Sequence, residues 1–166
     1  MIALRPHLLS VGSASSALLY AGVAGATALA TSAVFAVEGA ATAGHIVAEI
    51  LRRFMWSGTV LAGLAAALAA VGFVRDADRG RGTLLGALLL VTAHSGWMIV
   101  RQRVIEAKAE VYHLTGVAGA TPDSAVGADF QRWHAISVGV FLVAIAVALA
   151  TAWLGLRAGV AKSEDR

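Results

Sequence analysis

Imidazoles and carboxylates are the groups in this chain that could do chemistry, and they are few: five histidines and ten acids in 166 residues. Neutral imidazole binds transition metals and haem iron, and carboxylates complete such sites. Glu106, Glu110 and His113 stand at i, i+4 and i+7, so a helix would present all three on one face. Glu110 and His113 also have the Glu-x-x-His spacing of helical di-metal sites, although those bundles use a second copy that this chain lacks. Together with His45 these residues form a candidate metal set. His94 stands apart as the titratable residue inside a long apolar run. Such a group faces a bundle interior or a water-filled cavity. Its plainest role is a neutral histidine hydrogen-bonded to a neighbouring helix. Its functional role would be ligation of haem, pigment or metal, or proton relay. A b-type haem between helices takes two facing histidines, and His134 is the candidate second ligand. The sequence requires no cofactor; haem and metal are the ones these residues could take.

Other chemistries lack their residues. There is no cysteine, which excludes disulfides and thiolate sites. No nucleophile–base–orienter set, phosphate loop, zincin motif or dinucleotide fingerprint is visible.

The elements that must hold these side chains are read from composition. Hydrophobic residues make up 58% of the chain and charged residues 14%, with a mean hydropathy of +0.77. Soluble domains carry roughly 45–50% apolar and about 25% charged residues. The balance is that of a membrane protein. The net charge of +3 does not point to nucleic acid, because the basic residues lie at the ends of apolar segments instead of on one face. Only two prolines, Pro6 and Pro122, interrupt helix formation.

Four apolar stretches, about 8–37, 55–74, 82–100 and 135–156, each have roughly the 20 residues needed to cross a ~30 Å hydrocarbon core. None shows strand alternation, and unpaired backbone is not tolerated in lipid, so each span is expected to be a helix. The fold class is therefore all-α, an integral membrane four-helix bundle forming one transmembrane domain over residues 1–166. Small residues recur every four positions at Ser13, Ala17, Ala21 and Gly25, and again at Gly58, Ala62, Ala66 and Ala70. Two such faces can pack closely against each other. A cleaved signal peptide, with Arg5 as its basic region and a cut among Ala28–Ala36, competes for the first stretch. That stretch exceeds the usual ~7–15 apolar residues of such a peptide.

Between spans, residues 39–54 read as an amphipathic helix at the interface or leading into span two. Residues 75–81 read as a tight polar turn, 101–114 as a helical extension of span three, and 115–129 as a loop. Trp56, Trp97, Trp133 and Trp153 read as interfacial anchors. A charged tail, Lys162 to Arg166, follows span four. With four spans, loops one and three share a side. His45, Glu49, Glu106, Glu110, His113, Asp129 and His134 then gather near one membrane face. His94 lies about six residues inside span three, roughly 9 Å below that face. The other side holds both termini and the 75–81 turn, with seven Lys and Arg against six. The short turn is the denser in cations, which points to cytoplasmic termini in a bacterial cytoplasmic membrane.

Two segments carry a family resemblance. One runs Ala43-Gly44-His45-Ile46-Val47 to Arg52-Arg53-Phe54 at the entry to span two; the other is Phe130-x-x-Trp133-His134-x-x-Ser137 at the entry to span four. With the order of elements and the Thr121-Pro122 loop, the chain resembles the TMEM205-like (DUF4149) family of small four-helix membrane proteins. It departs from the family in having no proline late in span one and Phe141 where an asparagine is common. The resemblance implies architecture and membrane location, not a reaction. The expected function is that of a non-enzymatic multi-pass protein, a structural or accessory subunit whose partners are the bilayer and other membrane helices, in a homo-oligomer or a larger complex. The alternatives are a haem-, pigment- or metal-binding protein using His94 with His134 or His45, and a small transporter. Spans one, two and four carry no internal charge for an ion path.

Overall fold

Each apolar stretch lies inside one continuous helix. The computed structural model describes residues 6–38, 40–115 and 125–160. Its elements are α1 (Pro6–Val37), α2 (Ala40–Arg75), α3 (Ala77–Thr115) and α4 (Ala125–Val160). All four are long and apolar enough to cross a membrane. Arg5, the Thr121-Pro122 segment and the Lys162–Arg166 tail lie outside the described residues. This is an all-α, multi-pass membrane protein.

The helices form an antiparallel ring in which α1 packs on α2 and α4, and α3 packs on the same two neighbours. Short connections make sequential helices neighbours. α1 opens at Pro6, whose fixed φ suits a first turn and whose missing N–H would be unpaired there anyway.

The polar turn expected at 75–81 shrinks to Asp76 alone. Asp76 acts as the cap of α3: its Oδ1 accepts the Arg79 N–H at 3.4 Å and its carbonyl accepts the Gly80 N–H at 2.9 Å. The tight joint brings α2 and α3 so close that a Cβ on Gly80 would lie 2.6 Å from the Phe73 Cα. Residues 40–54 do not form a separate interfacial helix; they are the first turns of α2 and lead straight into the span. Residues 101–115 continue α3, as their periodicity indicates. The loop expected at 115–129 is shorter, because residues 125–129 already belong to α4. No proline follows Pro122, so nothing in the sequence stops the helix from starting there.

The small-residue faces do meet, but not in the register of the repeats. Ser13, Ala17 and Ala21 are buried, whereas a Cβ on Gly25 would find nothing within 4 Å. On α2 the buried line runs Gly58, Ala62, Ala65, Ala69 and Gly72 instead of through Ala66 and Ala70. A four-residue repeat drifts around a 3.6-residue helix by roughly 40° per step, so contact passes to residues three apart. Ser13 fixes the pairing, donating its hydroxyl to the Ala65 carbonyl at 2.9 Å. α4 approaches α1 and α3 in the same way: a Cβ on Gly155 would lie 2.7 Å from the Ser10 carbonyl oxygen, and one on Gly86 would lie 2.8 Å from Thr151 Oγ1. In lipid, close backbone packing supplies the association energy that water exclusion supplies elsewhere.

Candidate functional site

A polar knot joins three helices, with His94 and Tyr20 in the bundle core and Thr59 exposed at its edge. His94 on α3 is 2% exposed and Tyr20 on α1 is fully buried. The Tyr20 hydroxyl lies 3.0 Å from His94 Nδ1, and Thr59 Oγ1 on α2 lies 3.0 Å from His94 Nε2. Thr59 also lies 2.7 Å from the Met55 carbonyl, to which it donates its one hydroxyl proton. That proton count assigns the tautomer. Thr59 has only lone pairs left for the ring, so Nε2 carries the proton and Nδ1 accepts from Tyr20. The result is one aligned chain of donors, from Tyr20 through His94 and Thr59 to the Met55 carbonyl.

Aromatic rings enclose the knot. Phe54 sits at the centre, with ring centroids 5.5 Å from Tyr20, 5.9 Å from His94, 5.3 Å from Trp97 and 5.3 Å from Phe141. Phe54 and Phe141 thereby bridge α2 and α4 across the ring of helices. The backbone yields where the imidazole comes closest: a Cβ on Gly58 would lie 2.7 Å from His94 Cε1. Trp97 is therefore not an interfacial anchor. One turn after His94, it shares the inward face and is 2% exposed, while Trp56 and Trp153 remain outside at 71% and 57%.

Just beyond this cluster, the half-buried Arg101 leans back over the Trp97 ring, with its guanidinium carbon 6.0 Å from the centroid. It also points Nη1 at Met55 Sδ, 2.8 Å away, and Nη2 at the Ala48 carbonyl, 3.4 Å away.

The other candidate residues lie elsewhere. His134 is exposed on α4 and stacks on Phe130, centroids 5.9 Å apart. His45 is exposed and lines a shallow groove on α2 with Ile46, Glu49, Ile50 and Arg53. Glu49 is held by Arg52 and Arg53 at 2.8 and 2.9 Å. Glu106 is held by Arg103 at 3.0 Å, while Glu110, His113 and Asp129 are exposed. Among the described residues, no three His, Asp or Glu side chains gather into a group that could hold a metal. His45, Glu106, Glu110 and His113 thus share a membrane face without converging. Helical spacing aligns side chains along a face, but convergence also needs a second helix aimed at the same point.

No family model, no curated protein and no solved structure matches this chain.

What the knot can do follows from its own geometry. Both ring nitrogens of His94 are committed within the chain. Ligation of iron or another metal at Nδ1 would displace Tyr20 and strand its hydroxyl in the core, at a cost of about 1–3 kcal/mol, whereas ligation at Nε2 would displace only the exposed Thr59, which keeps its bond to Met55. The arrangement instead ties α1, α2 and α3 together at one level. The partners of His94 had a weak signature in the sequence. Tyr20 is the tyrosine of span one, and a buried tyrosine needs a partner for its hydroxyl. Thr59 and Gly58 had none, because a single threonine beside a glycine is ordinary in a transmembrane helix.

Proposed function

We propose that this chain is a non-enzymatic structural or accessory subunit of a membrane assembly. The carrying observation is the Tyr20–His94–Thr59 knot, in which both ring nitrogens of the buried His94 are taken by side chains of neighbouring helices. That leaves the lipid-facing surface for partners. Gly22 on α1, Gly63 on α2 and Gly139 on α4 are exposed, and a Cβ on any of them would meet nothing within 4 Å. Such notches suit close approach by helices of a second copy or of another protein. The cation-dense joint around Asp76 supports placing it and both termini in the cytoplasm of a bacterial cell. Membership in the TMEM205-like family goes with this reading, supported by the order of the four helices and by the Phe130–His134 segment.

The test is purification in mild detergent with an absorption spectrum, metal analysis and identification of co-purifying chains. A colourless, metal-free protein that brings down fixed membrane partners, or its own copies, is the expected result. A Soret band or stoichiometric metal that disappears in His94→Ala would overturn the reading in favour of a cofactor-binding protein.

A further inference from the structure

We infer that the seam between α2 and α3, at the end of the bundle where Arg101 and Lys108 lie, binds the phosphate of an anionic phospholipid. Arg101 stands at the end of span three, which is the level of the lipid headgroups. Lys108 is seven residues on, two turns along the same face. Helical side chains lean toward the N-terminus of their own helix. For α3 at this end, that direction is toward the membrane and the phosphate layer. Arg101 shows it directly by lying over Trp97, one turn back.

The α2 wall opposite is made of small residues. Ala48 presents its carbonyl to Arg101 at 3.4 Å, and Lys108 Nζ lies 3.1 Å from where a Cβ on Gly44 would stand. Two carboxylates of these helix ends pair with other arginines: Glu49 with Arg52 and Arg53, and Glu106 with Arg103. Among the described residues, Arg101 bonds a thioether and a carbonyl and lies over a ring face, without a carboxylate. A half-buried guanidinium and an exposed ammonium along one seam, with no carboxylate partner among the described residues, complement a lipid phosphodiester.

The experiment is native mass spectrometry of the full chain in mild detergent, titrated with phosphatidylglycerol. Each cation near the surface contributes about fivefold in affinity, so the double variant R101Q/K108Q is expected to bind about thirtyfold more weakly. R52Q/R103Q removes two cations that are already paired and is expected to bind as the parent does. Lys108→Gln alone removes a side chain with no polar contact among the described residues; its expected loss of about fivefold carries the test even where the double variant does not fold. Unchanged affinity in K108Q and in the folded double variant would overturn the inference. So would an equal loss in R52Q/R103Q, which would mean diffuse surface charge. Displacement of the lipid by millimolar inorganic phosphate would also overturn it, because the seam would then take free phosphate.

Discussion

Tyr20 and His94, 74 residues apart in the chain, are joined inside the bundle by a 3.0 Å hydrogen bond between the phenol oxygen and Nδ1. The bond links α1 to α3, which are not neighbours around the ring of helices, and so stiffens its diagonal. Replacing Tyr20 with Phe removes the donor and leaves Nδ1 unpaired in the core. Buried unpaired groups cost about 1–3 kcal/mol, but hydrogen bonds in membrane bundles average about 0.6. The expected loss is therefore about 1 kcal/mol, measured by reversible unfolding in mixed micelles. In a cycle with His94→Ala the two losses should fall short of additive. Full additivity would show that the bond contributes nothing.

Two glycines on α2 separate close packing from mere smallness. Gly58→Ala drives a methyl to within 2.7 Å of the His94 ring, which must move off both partners. Overpacking of this kind costs about 1–3 kcal/mol. Gly63→Ala meets nothing within 4 Å and should be neutral, or stabilising by up to about 1 kcal/mol through helix propensity. Melting temperatures in detergent compare the pair, and equal behaviour would refute the packing of α2 on α3 at this level.

Thr83 gives a prediction of the opposite sign. Its hydroxyl is buried on α3 and makes no hydrogen bond among the described residues. Thr83→Val keeps the shape and deletes the unpaired group, so stability should hold or rise by about 1 kcal/mol. Thr151→Val, which loses a 2.8 Å bond to the Val147 carbonyl, should not gain. The same unfolding assay reads both, and a clear loss in Thr83→Val would mean that its hydroxyl has a partner.

The ion pairs on the exposed part of α2 should matter little. Glu49 sits between Arg52 and Arg53, whose side chains are 64% and 80% exposed. Exposed pairs are screened by water and salt, so Glu49→Gln should leave stability nearly unchanged. Unfolding at low and high salt checks it, and a large salt-sensitive loss would show that the segment is buried against something else.

The proposed orientation can be read with thiols, because the chain has no cysteine of its own. Asp78→Cys should react with a membrane-impermeant maleimide only after the cells are opened, and His45→Cys should react in intact cells. The reverse pattern would invert the proposed orientation.

How much of this was legible beforehand depended on whether a feature is local. Span length and apolarity depend on neighbouring residues, so all four helices follow from composition alone. The rejoining of residues 101–115 to α3 follows from a local helical period. Asp76 as the sole break was hidden, because charged residues such as Asp78 and Arg79 fit an early helical turn as well as a loop. The knot was half visible: a histidine in an apolar run announces a partner, but nothing local says that the partners are Tyr20 and Thr59. A metal set is illegible for the same reason. Glu106, Glu110 and His113 satisfy a spacing on one helix, while convergence depends on how separate helices are rotated. Trp97 was misplaced because its distance from the span end suits an anchor, whereas its rotational phase, shared with His94, decides that it faces inward.

The one-residue joint at Asp76 bears on how the protein is made. Two spans separated by so little chain cannot enter the bilayer independently, since neither can cross without dragging the other's end. They must partition as a preassembled hairpin, so a peptide tag spliced between Arg75 and Ala77 should impair membrane integration itself, before any question of assembly with partners arises.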